Sequence, residues 1–123
     1  MIDPKPLRST VTEGYDCVVK ILGTGAANPT NVIAPGCVVT RTGAGLYLIT
    51  FGESPGTFKG LKGACFESTT LGDVAGWSAS VGVYNATAKT LAFRTNSGST
   101  ATDMAALTWL TLTLGFSLSS LTV

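Results

Sequence analysis

Apolar residues recur at every second position in several short stretches of this 123-residue chain. A two-residue period marks a strand buried on one face, because successive side chains of a strand point to opposite sides. Tyr15, Cys17, Val19 and Ile21 form one such series, alternating with Asp16, Val18, Lys20 and Leu22. Trp77, Ala79, Val81 and Val83 alternate with Ser78, Ser80, Gly82 and Tyr84. The strongest series closes the chain: Leu110, Leu112, Leu114, Phe116 and Leu118 fall on one face, with Thr111, Thr113, Gly115 and Ser117 on the other. Residues 37–41 and 46–51 are rich in β-formers and flank a Thr-Gly-Ala-Gly turn, which predicts a hairpin over 37–51. Residues 90–94 read as the return strand after a turn at 85–89, and 61–68 as a further strand. Residues 31–35 are ambiguous. Loops are expected at 23–29, 52–60, 69–76 and 95–102, where Gly, Pro, Ser, Thr and Asn gather. Residues 103–107 read as one helical turn, capped by Thr102 or Asp103.

Strands this short and frequent, with no amphipathic helix longer than two turns, predict an all-β fold: an antiparallel β-sandwich or jelly roll. Residues 13–123 are expected to form that single domain, since no repeat or interior linker divides them. Residues 1–12 read as an extended N-terminal arm, because Pro4 and Pro6 remove backbone donors and favour extended conformations. Pro4, Lys5, Pro6, Leu7 and Arg8 are its candidate interface residues.

Composition adds a reason to expect contact with other chains. Charged residues make up 12% of the sequence, against roughly 25% in an average soluble domain. Hydrophobic residues make up 45%. A chain with so few charges to spread over its surface tends to associate. The net charge of +1 and the scattered Lys and Arg give no footprint for nucleic acid. The apolar stretch from Leu107 is interrupted by Thr and Ser, so no membrane span is expected, and the Pro-interrupted N-terminus does not resemble a signal peptide.

The candidate chemistry is sparse. There is no histidine, which removes the commonest general base and metal ligand. Cys17, Cys37 and Cys65 show no metal or redox spacing and are expected as buried free thiols, although one disulfide of unspecified pairing stays open. Gly52-Glu53-Ser54-Pro55-Gly56 fits the G-x-S-x-G elbow of serine hydrolases. The elbow needs a histidine partner and a backbone N–H after the serine, and Pro55 has none. Gly23-Thr24-Gly25-Ala26-Ala27-Asn28 approximates a dinucleotide fingerprint, but Pro29 blocks the helix that should follow. Asn85-Ala86-Thr87 matches a glycosylation sequon and reads as turn chemistry. Trp77 and Trp109 are expected in the core. No catalytic residue, cofactor, metal site or small-molecule substrate is expected, and the chain is read as a non-enzyme.

The segment from Val38 to Phe51 (Val-Val-Thr-Arg-Thr-Gly-Ala-Gly-Leu-Tyr-Leu-Ile-Thr-Phe) resembles an early hairpin of small tailed-phage virion proteins. The stretch from Thr102 and Asp103 through Trp109 to Leu118 resembles their closing strand. The chain looks most like capsid decoration (cement) proteins, which are similar to jelly rolls. The resemblance implies a virion structural protein on the outer surface of a head, made in the host cytoplasm. Its implied partners are itself, as dimer or trimer, and a major capsid protein whose subunits it bridges. The alternative is a receptor- or carbohydrate-binding module of a viral fibre or tail, with Trp77, Tyr84 or Trp109 in a shallow groove.

Overall fold

The computed structural model describes residues 14–34 and 36–117, and within these two sheets pack face to face as an antiparallel β-sandwich. The strands are β1 (Gly14–Leu22), β2 (Thr30–Ile33), β3 (Cys37–Gly43), β4 (Leu46–Phe51), β5 (Thr57–Ser68), β6 (Trp77–Val81), β7 (Thr90–Ser97), β8 (Thr100–Ala101) and β9 (Thr108–Ser117). The first sheet runs β2-β1-β9-β5; the second runs β3-β4-β7-β6, with β8 paired to β7. A 3-10 turn at Leu71–Val74 is the one helical element among the described residues. The candidate arm residues Pro4, Lys5, Pro6, Leu7 and Arg8, and Leu118 of the closing series, lie outside the described residues.

The alternation seen in the sequence generates the core. Val19 and Ile21 of β1 and Leu110, Leu112, Leu114 and Phe116 of β9 face Val39, Tyr47, Ile49, Phe51, Leu91 and Phe93 of the second sheet, all at most 5% exposed. β9 is the central strand of its sheet, pairing β1 from Trp109 to Ser117 and β5 along its full length. Removing apolar surface of this size from water is the main favourable term in such a fold. The β3–β4 hairpin forms as expected, with Cys37 opposite Phe51 and Arg41 opposite Tyr47.

Four boundaries differ from the sequence reading. β5 begins at Thr57, inside the expected loop 52–60, because Thr57 and Phe58 pair with Ser117 and Phe116. β7 runs on to Ser97 and turns into β8, inside the expected loop 95–102. The strand at Trp77 ends at Val81, leaving Val83 93% exposed in the turn region. Residues 103–107 form no helical turn. The Asp103 carboxylate is taken by Arg41 and by the Gly45 N–H, the Met104 N–H donates to the Tyr47 hydroxyl, and Leu107 has φ +64. Those partners and that dihedral are incompatible with a helix.

Candidate functional site: two unlike faces and an end cleft

At one end of the sandwich, residues 102–107 cross from the second sheet to the first. Arg41 points inward beside Tyr47 and donates from Nε to Asp103 Oδ1 at 2.8 Å and from its terminal nitrogen to Oδ2 at 3.0 Å. The same carboxylate accepts the Gly45 N–H at 2.9 Å, and the buried Tyr47 hydroxyl accepts the Met104 N–H at 3.0 Å. The Arg41 guanidinium holds the Asp103 carboxyl below its usual range, and the Asp103 contact raises Arg41 in turn. Burial raises the Tyr47 phenol. Gly45 sits at φ +69, and a Cβ there would collide with the Thr102 nitrogen. The Gly23–Asn28 loop is used structurally: Gly23 N–H donates to Thr108 O at 2.7 Å and Asn28 Oδ1 accepts the Arg41 N–H at 2.9 Å. It leads into β2, not a helix.

At the opposite end, aromatic rings close the core. Phe116 meets Phe51 at 5.6 Å, Phe58 at 5.4 Å and Tyr84 at 5.7 Å, while Tyr15 donates its hydroxyl to Pro55 O at 2.6 Å. Burial raises the Tyr15 phenol, with Cys17 and Tyr84 adding to it. The Tyr84 hydroxyl is buried and has no hydrogen-bond partner among the described residues. Beside this cluster lies a cleft of about 590 Å³, with β1 on one wall and the β4–β5 loop on the other. Its lining includes Tyr15, Val18, Ile33, Phe51, Glu53 and Pro55. Ser54, the serine of the G-x-S-x-G match, lies in that loop and accepts the Gly56 N–H; the strand β5 follows it where an elbow needs a helix.

The two outer faces differ in charge. On the first sheet, Lys62 pairs with Asp16 at 2.7 Å and Lys20 with Glu67 at 3.4 Å, both reaching across β9. Gly115 makes the first crossing possible: a Cβ there would lie 3.0 Å from Lys62 Cε. Outward on the second sheet stand Val38 and Thr40 of β3, Leu46, Leu48 and Thr50 of β4, Ala92 and Arg94 of β7, and Ser78 and Ser80 of β6. Arg94 is the one charged side chain among them, and it is drawn aside to Asn96 and to Ser99 O. Val38 and Leu46 are 55% and 44% exposed. This face is apolar and hydroxyl-bearing across its width.

Two of the edge strands, β5 and β3, are guarded. β5 carries two register shifts with Lys59 and Lys62 at the bulged positions, devices that keep an edge from pairing with another chain. On β3, the Cys37 N–H is taken by Ala34 O and the Arg41 N–H by Asn28.

Two side-chain placements correct the sequence reading. Trp109 is not in the core: Leu110 points inward, so its neighbour points out, half-buried between Leu22 and Glu67. Cys65 is exposed on β5, whereas Cys37 is buried and Cys17 half-buried; all three are free. Burial pushes the Cys37 thiol up to about 11 and raises Cys17. Trp77 does pack against the core, with its ring 5.8 Å from Phe66. Asn85 acts in its turn, accepting the Ala88 N–H at 3.0 Å. The low overall charge was readable from composition, but the charge-poor face was not, because its strands form one surface only through the fold. The cleft was not, because Ile33, Phe51 and Glu53 come together only through the fold.

Among the described residues no group of three or more Cys, Asp or Glu is placed to hold a metal, and no helix is long and apolar enough to cross a membrane. The class defined by this fold is the antiparallel β-sandwich. No protein-family profile, curated protein or solved structure matches the chain.

Proposed function

We propose that the chain is a virion structural protein, a capsid decoration (cement) protein that stabilises a phage head by bridging major capsid subunits. The observation that carries this reading is the outer face of the second sheet. It presents Val38, Leu46, Leu48 and Ala92 among hydroxyls, with Arg94 its sole charge among the described residues. Interface cores are depleted in charge relative to the rest of a surface. The first sheet, with its crossed ion pairs, suits the side turned to water. In this reading the protein acts by adhesion. The second sheet lies on neighbouring shell subunits and ties them against internal pressure.

The test is quantitative mass spectrometry of purified particles from the source of the chain, with surface labelling by an antibody against it. The expected result is a copy number in fixed ratio to the major capsid subunit and label on the outside of the shell. Absence from particles overturns the reading. Leu46→Lys and Ala92→Lys on the charge-poor face should abolish occupancy while leaving the fold intact, because both positions are exposed.

A second reading, a carbohydrate-binding module of a fibre or tail, is favoured by one placement, the outward Trp109. A half-buried indole that faces outward leaves part of its ring for a sugar to stack on. Glycan-array binding that disappears in Trp109→Ala would support it, and no glycan binding would remove it.

A further inference from the structure

The end cleft is apolar on its walls and acidic at its rim. Val18 and Ile33, 36% and 49% exposed, present aliphatic surface, with Tyr15 and Phe51 as the aromatic part of the lining. Glu53 stands at the rim with no ion pair among the described residues, and Asp16 shares its carboxylate with the exposed Lys62. Among the described residues, no basic side chain lines the cleft. Its volume of about 590 Å³ falls in the range that encloses a short segment, not a whole element. The fitting occupant is extended and carries apolar and cationic side chains.

The sequence holds such a segment. Thirteen residues precede Gly14, and among them Pro4-Lys5-Pro6-Leu7-Arg8 combines two cations, one aliphatic side chain and two prolines. Prolines at this spacing bias a chain towards the polyproline conformation, which docks in aromatic-lined grooves with little further loss of entropy. The charges are complementary: Lys5 and Arg8 against Glu53 and Asp16.

We propose that the cleft receives residues 1–13 of a second copy of the chain, with Leu7 against Val18 and Ile33 and with Lys5 or Arg8 at Glu53. The choice of a second copy rests on the assembly reading above and on one piece of geometry. The cleft wall is β1 itself, so a chain's own preceding segment would have to reverse at Gly14 and run back beside the strand it had just entered. Fully extended, thirteen residues reach about 43 Å, beyond the roughly 30 Å length of β1. That is enough to leave one sandwich and enter the next.

The experiment is a charge exchange read by light scattering after size exclusion, at several concentrations of the full chain. The cleft variant is Glu53→Arg, an exposed loop position, and the segment variant is Lys5→Glu with Arg8→Glu. Circular dichroism checks that each is folded, and Glu53→Gln serves as a milder second cleft variant. The expected result is concentration-dependent association of the parent, weakened at least about tenfold in either reversal. An equimolar mixture of the two should recover association, because intact segments of one then meet intact clefts of the other. A parent that stays monomeric, or a mass unmoved by both reversals, overturns the proposal. So does a mixture that recovers nothing, which is the result expected if each segment occupies its own cleft. Particle occupancy is a separate readout, so failure here and failure of the decoration reading are distinguishable.

Discussion

Arg41 and Asp103, 62 residues apart in sequence, are joined by two hydrogen bonds of 2.8 and 3.0 Å across the end of the sandwich. The pair fixes the crossing from the second sheet to the first, because the same carboxylate also holds the Gly45 N–H. Asp103 is held below its ordinary pKa by these partners. A depressed carboxylate contributes stability above its unfolded pKa of about 3.9 and loses it as pH falls through the folded value. Asp103→Asn should therefore lower the urea midpoint at pH 7, and the gap from the parent should close as pH drops below about 4. A gap that is constant from pH 7 to pH 3 would contradict this account.

Gly45 and Gly98 both adopt positive φ, +69 and +63, but only Gly45 is crowded: a Cβ added there would meet Thr102, Ala101 and Thr95, while one added at Gly98 would meet nothing within 4 Å. Gly98→Ala should cost only the conformational strain of about 1 kcal/mol. Gly45→Ala adds backbone collisions and should cost ~3 kcal/mol or more. Chemical denaturation of the two variants side by side checks the difference, and equal losses would refute it.

Tyr84 buries a hydroxyl with no partner among the described residues while its ring packs on Phe51, Phe58 and Phe116. Removing an unsatisfied polar atom and keeping the ring should leave stability unchanged or raise it by about 1 kcal/mol. Tyr84→Phe is expected to show that by thermal melting. Phe116→Ala, which empties the middle of the cluster, should cost about 3–5 kcal/mol.

The three thiols should separate cleanly by rate. Cys65 is exposed, Cys17 half-buried and Cys37 buried with its thiol pushed up to about 11. At pH 8 a thiol reagent should label one site per native chain quickly, and mass mapping should find it at Cys65, with Cys37 last. Fast labelling of Cys37 would mean the sandwich opens far more readily than its packing implies.

The parts of the fold that depend on local alternation were legible in the sequence. The 37–51 hairpin, the inward series Leu110, Leu112, Leu114 and Phe116, and the 85–89 turn all follow from neighbours along the chain. Trp109 shows that side-chain type is a weaker guide than period. The spacing that puts Leu110 inside puts Trp109 outside. Asp103 read as a helix cap because its true partner lies across the sandwich, and no local pattern encodes Arg41 as that partner. The start of β5 at Thr57 was hidden because glycines that suggest a loop serve bulges in a long edge strand: Gly60 sits at φ +125 beside one of them. Residues 37–41, 46–51 and 90–94 were legible as strands, but the shared lack of charge on their outward sides became a property of one surface only once those strands lay side by side.

The bulged, lysine-bearing β5 and the capped β3 have a consequence for crowded conditions. At these two strands a further copy is kept from adding to the ladder, so crowding does not extend the sandwich from β5 or β3. Growth from these two edges is hindered while the broad side of the second sheet stays open. With those two borders dressed, the molecule is suited to being laid as a tile, its broad side down, without its sheets running on through β5 or β3 into a neighbour's.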